Sequence, residues 1–381
     1  MIDRKVIDSM LLPRMNDYIN KMKEKQLDYL FVYFNGLHSF LEPNQVFLLS
    51  GFKSIGECML IVSAKGESTL IVSPSWDVER AKETSKTTNV VGTDHLVSTF
   101  IDLLTTENAL FTTTGFIGID SINPESYSRI SAYFSNEINE VTDDFKSLTD
   151  TKSDEEIENA RKATWIAERG YEKVLEIAKP GMYDYQLAGE LVSYMKSLGA
   201  DDNFLLMSAS QHNQAVRPPG RRRLEKGDII LAEISPSFKG QFSQICRSVV
   251  LGDNNLELLT EKYNLLVHAM KKGIEVAKPG NKMSDVVRAI NEPIIDAGYG
   301  EYCVPPYMRV RGHSLGLSSL LPGDVSITNE TILKEGMFFV IHPNQYIPET
   351  GYLLCGEPVL ITSKGAEPLT RRLSNLDSIR C

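Results

Sequence analysis

Two polar residues interrupt apolar runs that otherwise read as buried strands: Glu233 within Ile229-Ile-Leu-Ala-Glu-Ile234, and His342 at the end of Phe338-Phe-Val-Ile-His342. Each lies six positions after a glycine, Gly227 and Gly336 respectively. A carboxyl and an imidazole are side chains that can pass protons to and from a reacting group near neutral pH. Burying a carboxylate without a partner is costly, so a strand that carries one is expected to use it.

An internal repeat ties the two together. Glu176-Ile-Ala-Lys-Pro-Gly181 recurs as Glu275-Val-Ala-Lys-Pro-Gly280, and Leu224-Glu-Lys-Gly-Asp228 recurs in the same order as Leu333-Lys-Glu-Gly-Met337. Two matched pairs in one order indicate a duplicated unit. A pseudo-dyad relating the copies puts Glu233 and His342 in equivalent places, facing one another across a shared cleft.

The elements that must hold these residues fall into two groups. Before residue 150, Tyr29–Tyr33, Val46–Leu49, Cys58–Ser63, Thr69–Val72 and Phe116–Ile119 read as strands alternating with helical stretches, as in an α/β domain. Ser153 with Glu156 forms a capping box that opens a long helix running to about Ala178. The predicted organisation is α+β, with an α/β domain over 1–150 and a duplicated catalytic domain over 151–381.

Composition narrows the function. The 381 residues carry a formal net charge of -10, which opposes binding to nucleic acid. The run Arg221-Arg222-Arg223 lacks interleaved aromatics and reads as a solvated turn. No apolar stretch approaches the roughly 20 residues needed to cross a bilayer. Met1-Ile-Asp-Arg-Lys5 lacks the apolar core of a signal peptide, and five cysteines without paired spacing read as reduced thiols. The expectation is a cytoplasmic protein with no membrane or nucleic-acid partner.

The order and spacing of Lys-Pro-Gly181, Leu224 to Glu233, Gly240-Gln-Phe-Ser-Gln244-Ile-Cys-Arg247, Gly312-His313-Ser-Leu-Gly316 and Glu335 to Pro343 resemble the creatinase, prolidase and aminopeptidase P family. The resemblance covers nearly the whole chain. It implies a small N-terminal α/β domain, a pita-bread domain of two pseudo-symmetric halves, and a homodimer. Its metallopeptidases hold two divalent ions with two aspartates, one histidine and two glutamates. At the matching positions this chain has Glu233, Gln244, His313, His342 and Gly356, with Glu357 next in line. Two neighbouring cations need several anionic ligands, so loss of the two-metal centre is expected. The alternative is one transition metal on Glu233, His313, His342 and Glu357.

Among family members the character is nearest to creatinase, the metal-free branch. The segment Ser210-Gln-His212-Asn213 resembles its catalytic histidine segment, which makes His212 the expected general acid and base. His313 and His342 would orient substrate or stabilise negative charge, and Glu233 would orient an imidazole or hold the substrate nitrogen. Gln244 and Glu357 are expected to line the substrate. Of the arginines near these motifs, Arg217 and Arg311 are the ones expected to bind an anionic group, ahead of Arg309. Cys246 reads as a packed, inert thiol.

The implied activity is hydrolysis of an amide, amidine or related C–N bond in a small anionic metabolite, with no cofactor. An Xaa-Pro aminopeptidase or dipeptidase with one remodelled metal site, and a catalytically silent binding module, remain as alternatives.

Overall fold

The computed structural model describes residues 13–106, 112–134 and 137–381. It divides into two compact units, one comprising the chain to His38 with Pro43–Leu148, the other Ser39–Glu42 with Thr149–Cys381. The short segment Ser39–Glu42 thus groups with the later part of the chain.

The first unit contains five strands, β1 Tyr29–Phe34, β2 Cys58–Ser63, β3 Ser68–Val72, β4 Asn89–Gly92 and β5 Thr114–Ile117, in the order β4-β3-β2-β1-β5. Side chains alternate across the sheet. Leu30, Val32, Leu60, Val62, Leu70 and Val72 enter one core, while Phe31, Tyr33, Met59, Ile61 and Ile71 enter another. A sheet covered on both faces explains why these strands read as continuous apolar runs. Val46–Leu49, expected as a strand, belongs instead to the helix Gln45–Ser50. Asn44 caps it by accepting the Phe47 amide, and Gly51 at φ 71° ends it, signals that outweigh a short apolar run with no periodicity of its own.

The second unit is built twice over. In each half two helices pack together and feed strands: Asp154–Ile177 with Asp184–Ser197, then Leu256–Val276 with Met283–Ile294. The capping box of Ser153 and Glu156 forms as expected. The repeated Lys-Pro-Gly turns are equivalent in detail. Gly181 (φ 88°) donates its N–H to the Leu224 carbonyl at 2.8 Å, and Gly280 (φ 92°) to that of Leu333 at 3.0 Å. Glycine is needed there because other residues rarely adopt positive φ.

The first half contributes β6 Asn203–Ser210, β7 Ile229–Phe238, β8 Gln241–Phe242 and β9 Ile245–Leu251. The second contributes β10 Gly312–Ser314, β11 Phe338–Ile341, β12 Gln345–Ile347, β13 Gly351–Leu353, β14 Glu357–Thr362 and β15 Gly365–Pro368, before β16 Asp377–Ile379 returns to β9. The sheets run β16-β9-β7-β6 and β10-β11-β14-β15. They meet where Cys246 and Gly356 exchange N–H···O bonds of 3.2 and 3.1 Å. That junction makes one continuous surface from the two halves.

Candidate active site

Register places four positions in a row across the junction. Glu233 on β7 pairs with Cys246 on β9, Cys246 bridges to Gly356, and the pairing of Ile341 with Glu357 on β11 and β14 sets His342 beside Gly356. Residues directly opposite in a sheet share a face. Glu233 and His342, equivalent in the repeat, are therefore brought to one face, and His313 joins them with its ring 5.4 Å from that of His342.

Burial sets the chemistry of these groups. The Glu233 carboxyl is pushed up to about 7 by burial, against the opposing effect of an Asn344 hydrogen bond. Asn344 Nδ2 donates to Glu233 Oε1 at 3.0 Å, and Asn344 Oδ1 accepts the Cys355 N–H at 3.0 Å. The backbone donor fixes which end of the amide faces the carboxyl. His342 is held neutral, down to about 3, by burial and then by His313 and two arginines. Its main-chain N–H donates to the Arg311 carbonyl at 2.9 Å, whereas its Nδ1 is buried with no hydrogen-bond partner. His313 is also lowered by burial, partly offset by its bond to the Ser314 carbonyl and by Asp324. Since a carbonyl only accepts, His313 Nδ1 carries the proton in that 2.9 Å bond, and Nε2 offers a lone pair. The edge of Phe40 packs against this ring, with centroids 5.4 Å apart.

Several expected site residues have other duties. His212 is exposed, its Nε2 donates to the Pro348 carbonyl at 2.9 Å, and its Nδ1 accepts from Gln214 at 3.1 Å. Among the described residues no hydrogen bond or ring contact ties it to Glu233, His313 or His342, so the acid–base role expected of it has no geometric basis. Glu357 is fully buried and accepts from Arg247, Thr370 Oγ1, and both the N–H and Oγ of Ser374. Strand alternation turns it away from the face of Gly356, and a carboxylate so fully satisfied has nothing left for substrate or metal. Arg311 is likewise buried, donating to Asn291 Oδ1, the Asn344 carbonyl, Gln345 Oε1 and Cys303 Sγ. It holds the strand ends together rather than reaching a ligand. Gln244 spends its amide on Ser235 Oγ and Cys246 Sγ. Arg217 is exposed, and among the described residues no side-chain hydrogen bond or ion pair ties it to the cluster. Cys246 is buried and burial keeps its thiol well above the usual range, which leaves it protonated. Asn344 was not anticipated; the only signal was a polar residue two places after His342.

The five positions that hold two divalent ions in family metallopeptidases do not fit that pair here. They supply one carboxylate, and one of its two oxygens is already hydrogen-bonded to Asn344. Gly356 excludes a side chain altogether, because a Cβ there would lie 2.5 Å from the Cβ of His342 and 3.1 Å from that of Cys246. Among the described residues no group of three or more His, Cys, Asp or Glu is arranged to hold a metal ion, and no helix is long and apolar enough to cross a membrane.

Comparison with known proteins shows the family. Residues 158–363 match metallopeptidase family M24. The chain is 31% identical over 366 residues to an Xaa-Pro dipeptidase of Pyrococcus furiosus, covering 94% of this chain and 97% of that one. Among solved structures it superposes on the prolidase from Pyrococcus furiosus with a TM-score of 0.76 at 28% identity, over 93% and 99% of the two chains. The prolidase from Pyrococcus horikoshii gives 0.82 at 25% identity, over 96% and 100%. The fold is the pita-bread arrangement of two pseudo-symmetric halves preceded by an α/β unit.

Proposed function

The chain belongs to metallopeptidase family M24 and is a hydrolase of C–N bonds; from that premise we propose that it cleaves the amide bond of a small Xaa-Pro-like substrate by carboxyl and imidazole chemistry, without a pair of metal ions. The substrate class follows the Xaa-Pro dipeptidases it is similar to. The observation that carries the chemistry is the convergence of Glu233, His342 and His313 on one face, with Glu233 poised at about 7. A group that gains and loses its proton near the working pH is the most effective general acid and base.

In this mechanism ionised Glu233 takes a proton from the attacking water as its oxygen adds to the amide carbon. The same carboxyl then returns the proton to the leaving nitrogen as the C–N bond breaks. His342, neutral and with Nδ1 unspent, donates to the oxygen that becomes negative in the transition state. His313 accepts a hydrogen bond at Nε2 from the attacking water.

The test is hydrolysis of Ala-Pro, followed by chromatography, with the wild type and Glu233→Gln, each with and without chelator. Turnover that resists chelator and falls about 10²-fold or more in the variant supports the reading, on the usual scale for general acid–base catalysis. Turnover that depends on added Mn²⁺ supports the second reading, a single ion held by His313 and His342, whose rings lie 5.4 Å apart.

A further inference from the structure

The bridge that joins the two sheets is held from behind. Cys246 and Gly356 exchange two main-chain hydrogen bonds outside the strand ladders. Arg247 follows the one and Glu357 the other, and strand alternation turns both to the face opposite the Glu233–His342 row. There the buried Arg247 guanidinium spans the bridge. Its Nη1 shares its hydrogens among the Cys246 carbonyl at 3.0 Å, the Gly356 carbonyl at 2.7 Å and Ser374 Oγ at 2.7 Å, while Nη2 meets Glu357 at 3.1 Å. Ser374 closes the circuit, because the Oγ that accepts from Arg247 donates to Glu357 Oε1 at 2.7 Å. Ser374 belongs to the C-terminal segment, which is fastened to the same strand: β16 pairs with β9, Asp377 opposite Val249, and Tyr171 Oη donates to Asp377 at 2.7 Å.

On the side of the chemistry the bridge has no slack. A Cβ on Gly356 would lie 2.5 Å from the Cβ of His342, so the Gly356 backbone is already packed against that residue. Glu233 stands opposite Cys246 in the β7–β9 ladder. A shift of the two bridging carbonyls therefore reaches His342 through Gly356 and Glu233 through Cys246, as strain does in a close-packed interior.

Resting on the proposed reaction, we infer that Arg247 is a positioning residue for it: aimed by Ser374 and Glu357, its guanidinium clamps the carbonyls of Cys246 and Gly356 and so fixes Glu233 against His342. A planar fork of donors can hold two carbonyls and a carboxylate in one fixed arrangement, which the point charge of a lysine cannot. The C-terminal segment thereby acts on the reaction without reaching the reacting atoms.

The test separates positioning from stability with two variants, each of which removes one hydroxyl donor to Glu357. Ser374→Ala also removes the acceptor that aims Arg247, whereas Thr370→Val removes a 2.6 Å bond to Glu357 alone. Because misplacing a catalytic group by about 1 Å can cost about 10²-fold, Ser374→Ala is expected to lower kcat for Ala-Pro about tenfold or more with KM within about twofold. Thr370→Val is expected to lower the melting temperature and keep kcat within about twofold, since the clamp is intact. A kcat kept in Ser374→Ala, or lost equally in Thr370→Val, overturns the assignment while leaving the reaction standing. Should Ser374→Ala not fold, Ser374→Cys carries the same expectations, because a thiol hydrogen-bonds more weakly than a hydroxyl. If wild type does not hydrolyse Ala-Pro, the proposed substrate falls, and the ring signals of His342 in ¹⁵N-histidine-labelled protein, identified by their loss in His342→Gln, decide the clamp alone. Signals displaced in the Ser374 variant and kept in Thr370→Val uphold it, and signals unmoved in both, or displaced equally in both, overturn it.

Discussion

Glu233 and Glu357 are both enclosed carboxyls, one on each side of the junction between the two halves, and they have opposite fates. Glu357 faces Arg247 at 3.1 Å and accepts further bonds from Thr370 and Ser374. Glu233 has one neutral donor, Asn344, and burial pushes its carboxyl up to about 7. The difference is a cation. A buried carboxyl tied to a guanidinium and three further donors holds structure, while burial pushes one without such a partner up to where it can exchange its proton and is available for chemistry.

The sharpest way to break this contrast is to remove the structural partner. Replacing Glu357 with alanine leaves Arg247 buried and unpaired, and should destabilise the protein by about 3–5 kcal/mol in denaturant titration. Next in size, Glu233→Gln should lower turnover about 10²-fold or more with little loss of stability, since a neutral amide suits a site that already disfavours charge. The pH dependence follows from the sign of the shift. Because folding raises the Glu233 pKa, the folded protein binds this proton more tightly than the unfolded chain does. Stability from that group is present in acid and is lost as pH rises from the ordinary carboxyl range through about 7. A wild-type rate profile with a limb near 7 that vanishes in Glu233→Gln would tie the same group to catalysis. Gly356→Ala should cost about 1–3 kcal/mol, as overpacking does, because its Cβ meets His342 at 2.5 Å. The smallest effect belongs to His212→Ala, whose imidazole serves a surface loop; turnover should stay within about twofold, far below an acid–base loss.

Much of the fold was legible because its signals are local. The capping box at Ser153, the Lys-Pro-Gly turns and the apolar runs of β1 to β3 declare themselves within a few residues. The helix Gln45–Ser50 was missed because six residues are too few to show a period, and its caps, Asn44 and Gly51, were the better guide. For the site, the repeat was enough to pair Glu233 with His342, since a duplicated unit implies equivalent positions. The resemblance that favoured His212 could not reveal that its ring is engaged by Pro348, more than a hundred residues later. Arg311 and Glu357 were misassigned for the same reason: whether a charged residue is free or spent depends on partners from other strands, which spacing does not disclose. Asn344 acquires meaning only once it is seen to hold Glu233, more than a hundred residues earlier.

The most direct test of the account is the metal content of the purified, active protein by plasma mass spectrometry, with Ala-Pro hydrolysis measured before and after chelation. Because a site that holds divalent ions as part of its machinery is expected to load near stoichiometrically, less than about 0.1 ion per chain with activity unchanged by chelator is the expected result. Two ions per chain, lost together with activity on chelation, would contradict it.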